Sequence, residues 1–360
     1  MSSSGRGSWP SMQLPPSDQS IQYCGSRVKS VPAIMNYVSH ETTEISTRRD
    51  IGGSDSTLIG ATWAPTVVRV SNAKLGVGGN PNEKLTLDRN GFELVTNPED
   101  QFKLVKDIDF LDQDQVANRY YPICEQIVKD VLQSQKSGST PIEGIFAFDH
   151  NVRSKDKTAS IKSSSASEAQ IQNPAGIVHA DYTLTSAPKR LDDLSKPPKL
   201  NDVLRPKLLM ENRSSLLDPA IVQEALDGKR RYAFINVWRN IDPKNPVMEF
   251  PLACVDASTA SMRDTRVFKI YYVDRVGENY FVCPSEQQHK WYYYPDMTMN
   301  EALLLKQWDN LGGIAKGSEV EDEGKPSTFT IHSAFMDPTT SEDAPARISI
   351  EVRCVVLWEK

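Results

Sequence analysis

The second half of the chain is a series of short runs of β-branched and aromatic residues, and this pattern constrains the fold more than any other feature. Turn residues separate the runs, which lie at 231–238, 266–273, 280–283, 291–294, 329–335 and 347–358. Short strands at close spacing are typical of antiparallel barrels and sandwiches. We therefore predict a mainly β fold with flanking helices, built on a jelly roll or a related barrel.

The first half mixes strands with helices. Strands are predicted where β-branched residues alternate or cluster between turn residues, at 61–70, 84–95, 144–150 and 177–183. Helices are predicted where apolar residues recur every three or four positions, at 112–133, 221–229 and 300–310. The helix at 112–133 has Asp112 or Asp114 as its predicted N-cap.

Composition predicts one large domain with additional segments at its ends. Residues 1–30 are rich in Ser, Gly and Pro, so we predict a disordered leader followed by a single catalytic domain over 31–360. Polar insertions are predicted near 155–172 and 312–327. The first of these precedes the strand at 177–183, so it is either a lid over that strand or a solvated insertion without a role.

Charge and hydropathy exclude several classes of function. The net charge of -6 gives no electrostatic reason to expect nucleic acid, so we predict a small neutral or anionic molecule as the partner. No run approaches the roughly 18 apolar residues that span a membrane, which predicts a soluble, cytoplasmic protein without a membrane partner. The five cysteines are scattered without a C-x-x-C pair, so neither disulfides nor a zinc knuckle are expected. A homodimer is left open.

One histidine has a carboxylate two positions further on. Among the five histidines of the chain, only His179 is followed at this spacing by an acidic residue, Asp181. On a strand, residues i and i+2 point to the same face, so the two side chains would converge on one ion. Among five histidines such a neighbour arises by chance roughly half the time, so the spacing alone supports a metal site and two ordinary barrel residues equally.

A second constellation lies near the C-terminus. We predict that the run ending at His332 and the run that begins at Arg347 form the two strands of one hairpin. On the second strand Arg347, Ser349, Glu351 and Arg353 share one face. A guanidinium beside a hydroxyl suits a distal carboxylate, because Arg offers paired donors to its two oxygens.

Two histidines and one carboxylate are the ligand set of non-haem Fe(II) oxygenases. Such a set leaves three adjacent positions open on the metal, which 2-oxoglutarate and dioxygen would fill. The predicted ligands are His179, Asp181 and His332, whereas a structural role is favoured for His150 and His289. A cupin-like zinc protein would use the same ligands, but it would not require the Arg and Ser strand.

A set of short motifs carries a family resemblance that runs in order from about residue 91 to the C-terminus. The motifs are GFELV at 91–95, DF at 109–110 with YYP at 120–122, FDHNVR at 148–153, VHADYT at 178–183, NVWR at 236–239, PLACVD at 251–256, HKWYYYP at 289–295, LKQWD at 305–309, HSAF at 332–335 and RISIEVR at 347–353. With these motifs the chain resembles the fungal asaB-type hydroxylase/desaturase family, which also includes gibberellin desaturase-like and cephem-methoxylase-related proteins. The resemblance implies a double-stranded β-helix, the cupin-like form of the jelly roll.

The resemblance also implies an activity. It points to an oxygenase that uses Fe(II), 2-oxoglutarate and O2 to hydroxylate, desaturate or rearrange natural products of secondary metabolism. A metal-dependent isomerase without redox chemistry, or a non-catalytic accessory subunit, is the alternative on the same fold.

Residue by residue, the family pattern places His179, Asp181 and His332 on the iron. It places Arg347 and Ser349 at the far carboxylate of 2-oxoglutarate. Arg239 would bind the co-substrate or the substrate. Arg353 shares the strand face of Arg347, so it is the alternative anchor for the carboxylate.

Overall fold

The structure is a computed structural model that describes residues 6–7, 9–15, 28–48, 57–96, 103–134, 140–155, 171–200, 202–285 and 289–360. Much of the predicted leader and nearly all of the insertion at 155–172 lie outside these residues, so both stay predictions. Within the leader, Trp9 packs edge-on against Phe268 with ring centroids 6.1 Å apart. The described part of the leader therefore contacts the fold.

Two sheets contain the strands of the described residues. The larger sheet has the order β1 (Arg6–Gly7), β4 (Thr57–Ile59), β3 (Ile45–Arg48), β12 (Thr265–Tyr271), β13 (Val276–Val282), β9 (His179–Ala180), β16 (His332–Ala334), β11 (Leu252–Val255), β14 (Trp291–Tyr293), β5 (Trp63–Asn72) and β2 (Ser30–Val38). The smaller sheet has the order β6 (Phe92–Thr96), β15 (Glu301–Asp309), β10 (Tyr232–Asn240), β17 (Ile348–Trp358), β7 (Ile142–Ser154) and β8 (Ile171–Gln172). The mainly β prediction with a jelly-roll core is confirmed.

The helices flank these sheets. They are α1 (Leu87–Asn90), α2 (Gln113–Gln115), α3 (Tyr121–Ser134), α4 (Ser186–Leu194), α5 (Arg205–Met210) and α6 (Pro219–Leu226), with a π-helical segment, Val116–Tyr120, between α2 and α3. Single 3₁₀ turns lie at Ala73–Leu75, Ala257–Thr259, Met262–Asp264 and Ile314–Lys316. None of the helices in the described residues is long and apolar enough to cross a membrane.

Two of the predicted helices are confirmed. The one at 112–133 begins where the Asp112 carboxylate accepts hydrogen bonds from the backbone N–H groups of Asp114 and Gln115, which caps orphan donors of the first turn. The apolar face of α3 packs on β7 of the smaller sheet, burying Cys124 and Ile127. The helix predicted at 221–229 corresponds to α6.

The helix predicted at 300–310 is wrong, because this segment is strand β15. It pairs with β6 on one side and β10 on the other, and every residue of it is buried. A strand covered on both faces reads as a continuous apolar run, and such a run cannot be told from a buried helix by its periodicity. The spacing of Ala302, Leu305 and Trp308 was therefore accidental.

The hairpin predicted for His332 and Arg347 is also wrong. His332 begins β16, which already pairs with β9 and β11 in the larger sheet. Arg347 directly precedes β17, which lies between β10 and β7 in the smaller sheet. The chain between them therefore crosses from one sheet to the other, and the two side chains meet across the core.

A glycine contact fixes the segment that leads into β16. Gly91 follows α1 with φ +86°, and a Cβ there would lie 2.3 Å from Oγ1 of Thr330, so only glycine fits. The Thr330 hydroxyl donates to the carbonyl of Gly91, and the Thr330 N–H donates to the carbonyl of Lys306 at 2.8 Å. These contacts fix the backbone position of Thr330, which lies two residues before His332.

The polar stretch at 312–327 packs onto the domain. Its Glu321 carboxylate accepts hydrogen bonds from the backbone N–H of Thr328 and from the Thr328 hydroxyl. Ile314, in the 3₁₀ turn, is buried. The predicted single domain over 31–360 stays a prediction.

Candidate metal centre

Three side chains converge where β9 and β16 lie side by side. His179 and His332 are paired in register, and their ring centroids are 4.3 Å apart. Asp181 follows β9, and its Oδ1 lies 3.6 Å from Nε2 of His179. One potential ligand atom from each of the three lies within 4.8 Å of the others, so a single ion could contact all three.

Backbone carbonyls orient both imidazoles. Nδ1 of His179 is 2.7 Å from the carbonyl oxygen of Ile177, and Nδ1 of His332 is 3.1 Å from that of Thr330. A carbonyl oxygen can only accept, so Nδ1 carries the proton in each ring. The lone pair is then on Nε2, the tautomer that metal sites select through such outer hydrogen bonds.

Burial sets the charges of the cluster. It lowers the pKa of His179 to about 4, together with repulsion from His332, so this imidazole is neutral at pH 7. Burial alone would raise the pKa of Asp181, but His332 and Arg353 lower it below its ordinary value. The cluster therefore offers the Nε2 lone pair of a neutral His179 ring and one ionised carboxylate, and together with Nε2 of His332 these atoms form a donor set for a divalent cation.

Asn236, which lies in the smaller sheet, fixes the orientation of the Asp181 carboxylate. Its Nδ2 donates to Oδ2 of Asp181 at 3.3 Å, which leaves Oδ1 on the side of His179. Asn236 is fully buried on β10, and its own Oδ1 has no partner among the described residues. This contact was not predicted, although Asn236 belongs to a motif that the sequence singled out.

Arg347 lies in the same chamber as the three candidate ligands. The chamber is also lined by Arg153, Trp238 and Glu351. Arg347 is 4 % exposed; its guanidinium donates to the carbonyl of Phe250 and lies 5.6 Å from the ring of Trp238.

No carboxylate of the described chain forms an ion pair with Arg347. Neither its Nε nor the buried hydroxyl of Ser349 has a hydrogen-bond partner in the part of the chain that the structure describes. Burial and the nearby Arg153 lower the pKa of Arg347 to about 9, because Glu249 and Glu351, which act in the opposite direction, do not offset them. Both side chains therefore have hydrogen-bonding capacity left for an anion.

Arg353 is in the opposite state. Its Nη1 is 3.1 Å from Asp149 Oδ2, and its Nη2 is 3.1 Å from Glu351 Oε1. Although burial opposes it, these two carboxylates raise the pKa of Arg353. Arg353 is therefore already neutralised by the protein.

The structure corrects the prediction for Arg239, which faces away from the chamber. Its Nε donates to the hydroxyl of Tyr120 at 3.0 Å, and its Nη1 donates to the carbonyl of Met299 at 2.6 Å. Side chains alternate along a strand, so Asn236 and Trp238 on β10 face the chamber while Arg239 faces the helices. Arg239 is fully buried on that side of the strand, and it does not line the chamber.

The remaining histidines lie elsewhere. Nδ1 of His150 is 2.8 Å from the hydroxyl of Tyr121, and Nδ1 of His289 is 3.0 Å from that of Tyr37. His40 is exposed and bonds to the carbonyl of Pro284. Within the described chain, the only group of three or more potential metal ligands is His179, Asp181 and His332.

The sequence segments that hold this cluster match the model of a known protein family. The family described as "Oxidoreductase/YMDC permease-like domain" (YDMC) matches residues 35–214 and 211–357. The chain belongs to this family. It is therefore an oxidoreductase.

Curated relatives of this YDMC-family chain include proteins from bacteria and fungi. The "Uncharacterized protein in dcmA 3'region" of Methylophilus leisingeri is 35% identical over 199 residues, which are 55% of this chain and 82% of that protein. "Hydroxylase/desaturase asaB" of Aspergillus flavus is 32% identical over 143 residues, which are 36% of this chain and 57% of that protein. The resemblance to asaB-type hydroxylases and desaturases is confirmed.

A solved structure shares the fold of this family member. It is described as "iron and alpha-ketoglutarate-dependent endoperoxidase NvfI" and has a TM-score of 0.61 at 22% identity, covering 92% of this chain and 99% of that chain. At 22% identity this similarity shows the fold of the chain and nothing further.

Proposed function

We propose that the chain is an Fe(II) and 2-oxoglutarate-dependent oxygenase that oxidises a small natural product of secondary metabolism. The observation that carries the proposal is one buried chamber that combines His179, Asp181 and His332 with the unpaired cation of Arg347. The printed names of relatives support it, since NvfI is described as dependent on iron and alpha-ketoglutarate. Hydroxylation, desaturation and oxidative rearrangement are the reactions proposed.

The residues of the chamber fit the proposed groups. His179, Asp181 and His332 would hold the iron and leave positions open for further ligands. Arg347 and Ser349 would bind the far carboxylate of 2-oxoglutarate, which would satisfy the unpartnered Nε and Oγ atoms. A zinc protein or an accessory subunit has no need for a buried cation that lacks an ion-pair partner, because such a cation costs stability unless a ligand pairs with it.

Iron with 2-oxoglutarate and dioxygen, when bound, supplies the oxidising power to remove hydrogen from an unactivated C–H bond while 2-oxoglutarate becomes succinate and carbon dioxide. The protein binds and orients. Arg347 fixes the co-substrate, and the ring of Trp238 covers its guanidinium. Asn236 holds the Asp181 carboxylate in one orientation. The buried walls exclude water, which strengthens each of these polar interactions.

We also propose that the chain acts in the cytoplasm on a diffusible small molecule. The net charge of -6 supports a partner other than nucleic acid. A homodimer and a lid role for 155–172 stay predictions.

The proposal is tested anaerobically. Addition of Fe(II) and 2-oxoglutarate to the purified protein is expected to produce a weak visible charge-transfer band. His179→Ala is expected to abolish it, because one of the three ligands is lost. His40→Ala, which removes an exposed histidine far along the chain, is the control and keeps the band. A band that survives His179→Ala contradicts the proposal, as does wild-type protein that gives neither a band nor calorimetric binding of 2-oxoglutarate.

A further inference from the structure

A cleft of about 680 Å³ lies beside the candidate metal centre. Its walls are residues 148–152 of β7, the C-terminal half of α4 with the loop that follows it, and the start of α5. Clefts of roughly 300–1,000 Å³ are the usual size of small-molecule sites. The lining is mixed: charged and polar side chains surround an apolar part that includes Phe148, Val152, Leu194, Leu204 and Leu208.

A series of aromatic rings in contact leads from the metal centre to this cleft. Tyr182 directly follows the candidate ligand Asp181 and stacks on Phe234, with centroids 4.7 Å apart and an interplanar angle of 19°. Phe234 in turn meets Phe148 edge-on at 5.8 Å. Phe148 forms part of the cleft wall. Two aromatic contacts therefore connect Tyr182, the residue next to the candidate ligand Asp181, with the wall of the cleft.

Charged side chains also lie between the cleft and the chamber of the metal centre. Asp149 lines the cleft and Glu351 lines the chamber, and Arg353 forms an ion pair with each of them. The cleft and the metal chamber are thus the two sides of one ion-pair network.

Most cations that line the cleft are neutralised by neighbouring carboxylates. Lys196 pairs with Asp192 at 2.5 Å, and both Lys199 and Arg275 pair with Asp274. These pairs leave little net charge for a ligand to meet.

Arg190 on α4 is the exception. Its guanidinium carbon lies 4.8 Å from the centroid of the Phe148 ring, and no carboxylate of the described chain forms an ion pair with it. A half-buried guanidinium that lies over an aromatic ring, and whose donors have no hydrogen-bond partner among the described residues, is suited to bidentate binding of a carboxylate. Burial of the ligand's apolar body against the leucines would add to the affinity.

We propose that this cleft is the substrate site and that the substrate is a carboxylic acid with an apolar ring system, whose carboxylate binds Arg190. The proposal rests on the proposed function, because it assigns a substrate to that reaction. Arg190 acts as a specificity-determining residue that holds the acid group at the outer end. The ring system lies along Phe148, which directs the remainder of the molecule towards the metal chamber.

The test uses the full chain loaded anaerobically with Fe(II) and saturating 2-oxoglutarate. The probes are a panel of ring-containing carboxylic acids, such as 1-naphthoic acid, each paired with its primary amide, and binding is measured by calorimetry. The acids are expected to bind at least about tenfold more tightly than the amides, since a hydrogen-bonded charge pair contributes that much. Saturating 2-oxoglutarate keeps the probes off Arg347.

Three variants decide the outcome. Arg190→Gln is expected to remove the preference for the acid, and Arg190→Lys to retain part of it. Arg275→Gln changes a cleft arginine that already has a carboxylate partner, so it serves as the matched control and keeps the preference. The inference is overturned if the panel shows no preference for acids, or if the preference survives in Arg190→Gln.

The same measurements separate this inference from the proposed function. The acids are titrated again into protein without iron and 2-oxoglutarate, using wild type and Arg347→Gln. A preference that depends on Arg347 and not on Arg190 assigns the probes to the co-substrate position and overturns the inference. Failure of 2-oxoglutarate itself to bind is a separate readout that concerns the proposed function alone.

Discussion

Arg347, which directly precedes β17, and Arg353 within β17 lie on the same strand face but in opposite electrostatic environments. Arg353 is held between Asp149 and Glu351 at 3.1 Å from each. Arg347 is more deeply buried; it donates to a backbone carbonyl and lies against an aromatic ring, but no carboxylate of the described residues forms an ion pair with it. The two environments differ in whether the protein itself supplies the counter-charge.

This difference indicates which arginine serves a ligand. Burying a cation without a partner costs several kcal/mol, so such a residue is retained where a ligand supplies the missing anion. The unpartnered Ser349 hydroxyl lies on the same strand, and the candidate metal ligands share the chamber with Arg347. The comparison therefore assigns co-substrate binding to Arg347 and a structural role to Arg353.

The largest expected effect comes from Arg347→Gln. It removes the charge and both parallel donors, so the affinity for 2-oxoglutarate is expected to fall about 100-fold or more. Anaerobic calorimetry with Fe(II)-loaded protein measures this. The free energy of unfolding in denaturant is expected to stay the same or rise, because a buried unpaired cation is removed. Unchanged affinity would reverse the assignment of the two arginines.

Arg353→Gln is expected to show the converse pattern. It leaves Glu351 and Asp149 without their partner, and about 2 kcal/mol of stability is expected to be lost, less than for a fully buried pair because Asp149 is half exposed. Urea unfolding of variant and wild type measures the loss. The affinity for 2-oxoglutarate should change less than about threefold. A large loss of affinity with intact stability would contradict the structural role.

Asn236→Ala tests the neighbouring contact on β10. Loss of the hydrogen bond to Asp181 frees the carboxylate to rotate, and Fe(II) affinity is expected to fall about tenfold, as is typical when a residue that orients a ligand is removed. Competition with a chelator measures the affinity. Val237→Ala, on the opposite face of the same strand, is the control and should reduce stability without weakening the metal site. Equal metal affinity in wild type and Asn236→Ala would show that Asp181 does not need this contact.

The smallest effect is expected from Ser349→Ala. It removes one neutral hydrogen bond to the far carboxylate, so affinity for 2-oxoglutarate is expected to fall about fivefold. Because the hydroxyl has no hydrogen-bond partner among the described residues, the unfolding free energy should not decrease. A loss of stability without a loss of affinity would place the hydroxyl outside the co-substrate site.

The fold could be predicted from the sequence where one face of a strand or helix is polar. The capped helix that begins after Asp112 and the strand face of Arg347 and Ser349 followed from periodicity alone. Strand β15 did not, because it is buried on both faces and its apolar run carries no period-2 signal. The strands that pair with the His332 and Arg347 segments could not be predicted either. Whether the two segments form a hairpin or lie in different sheets depends on the strands that already flank β16.

For the candidate site, the grouping of His179, Asp181 and His332 was predictable as residue types but rested on the family resemblance for its specificity. Alternation along β10 could have excluded Arg239, because it is one residue from Trp238 and three from Asn236 and so lies on the other face. The choice between Arg347 and Arg353 was not predictable. It depends on Asp149, which lies on a strand far away in sequence and reaches Arg353 only through the pairing of β7 with β17.

The most direct test of the account is a crystal structure of the protein prepared anaerobically with Fe(II) and 2-oxoglutarate. We expect one metal ion in contact with Nε2 of His179, Oδ1 of Asp181 and Nε2 of His332, with the far carboxylate of 2-oxoglutarate on Arg347. An ion bound elsewhere, or a carboxylate that displaces Asp149 from Arg353, would contradict it.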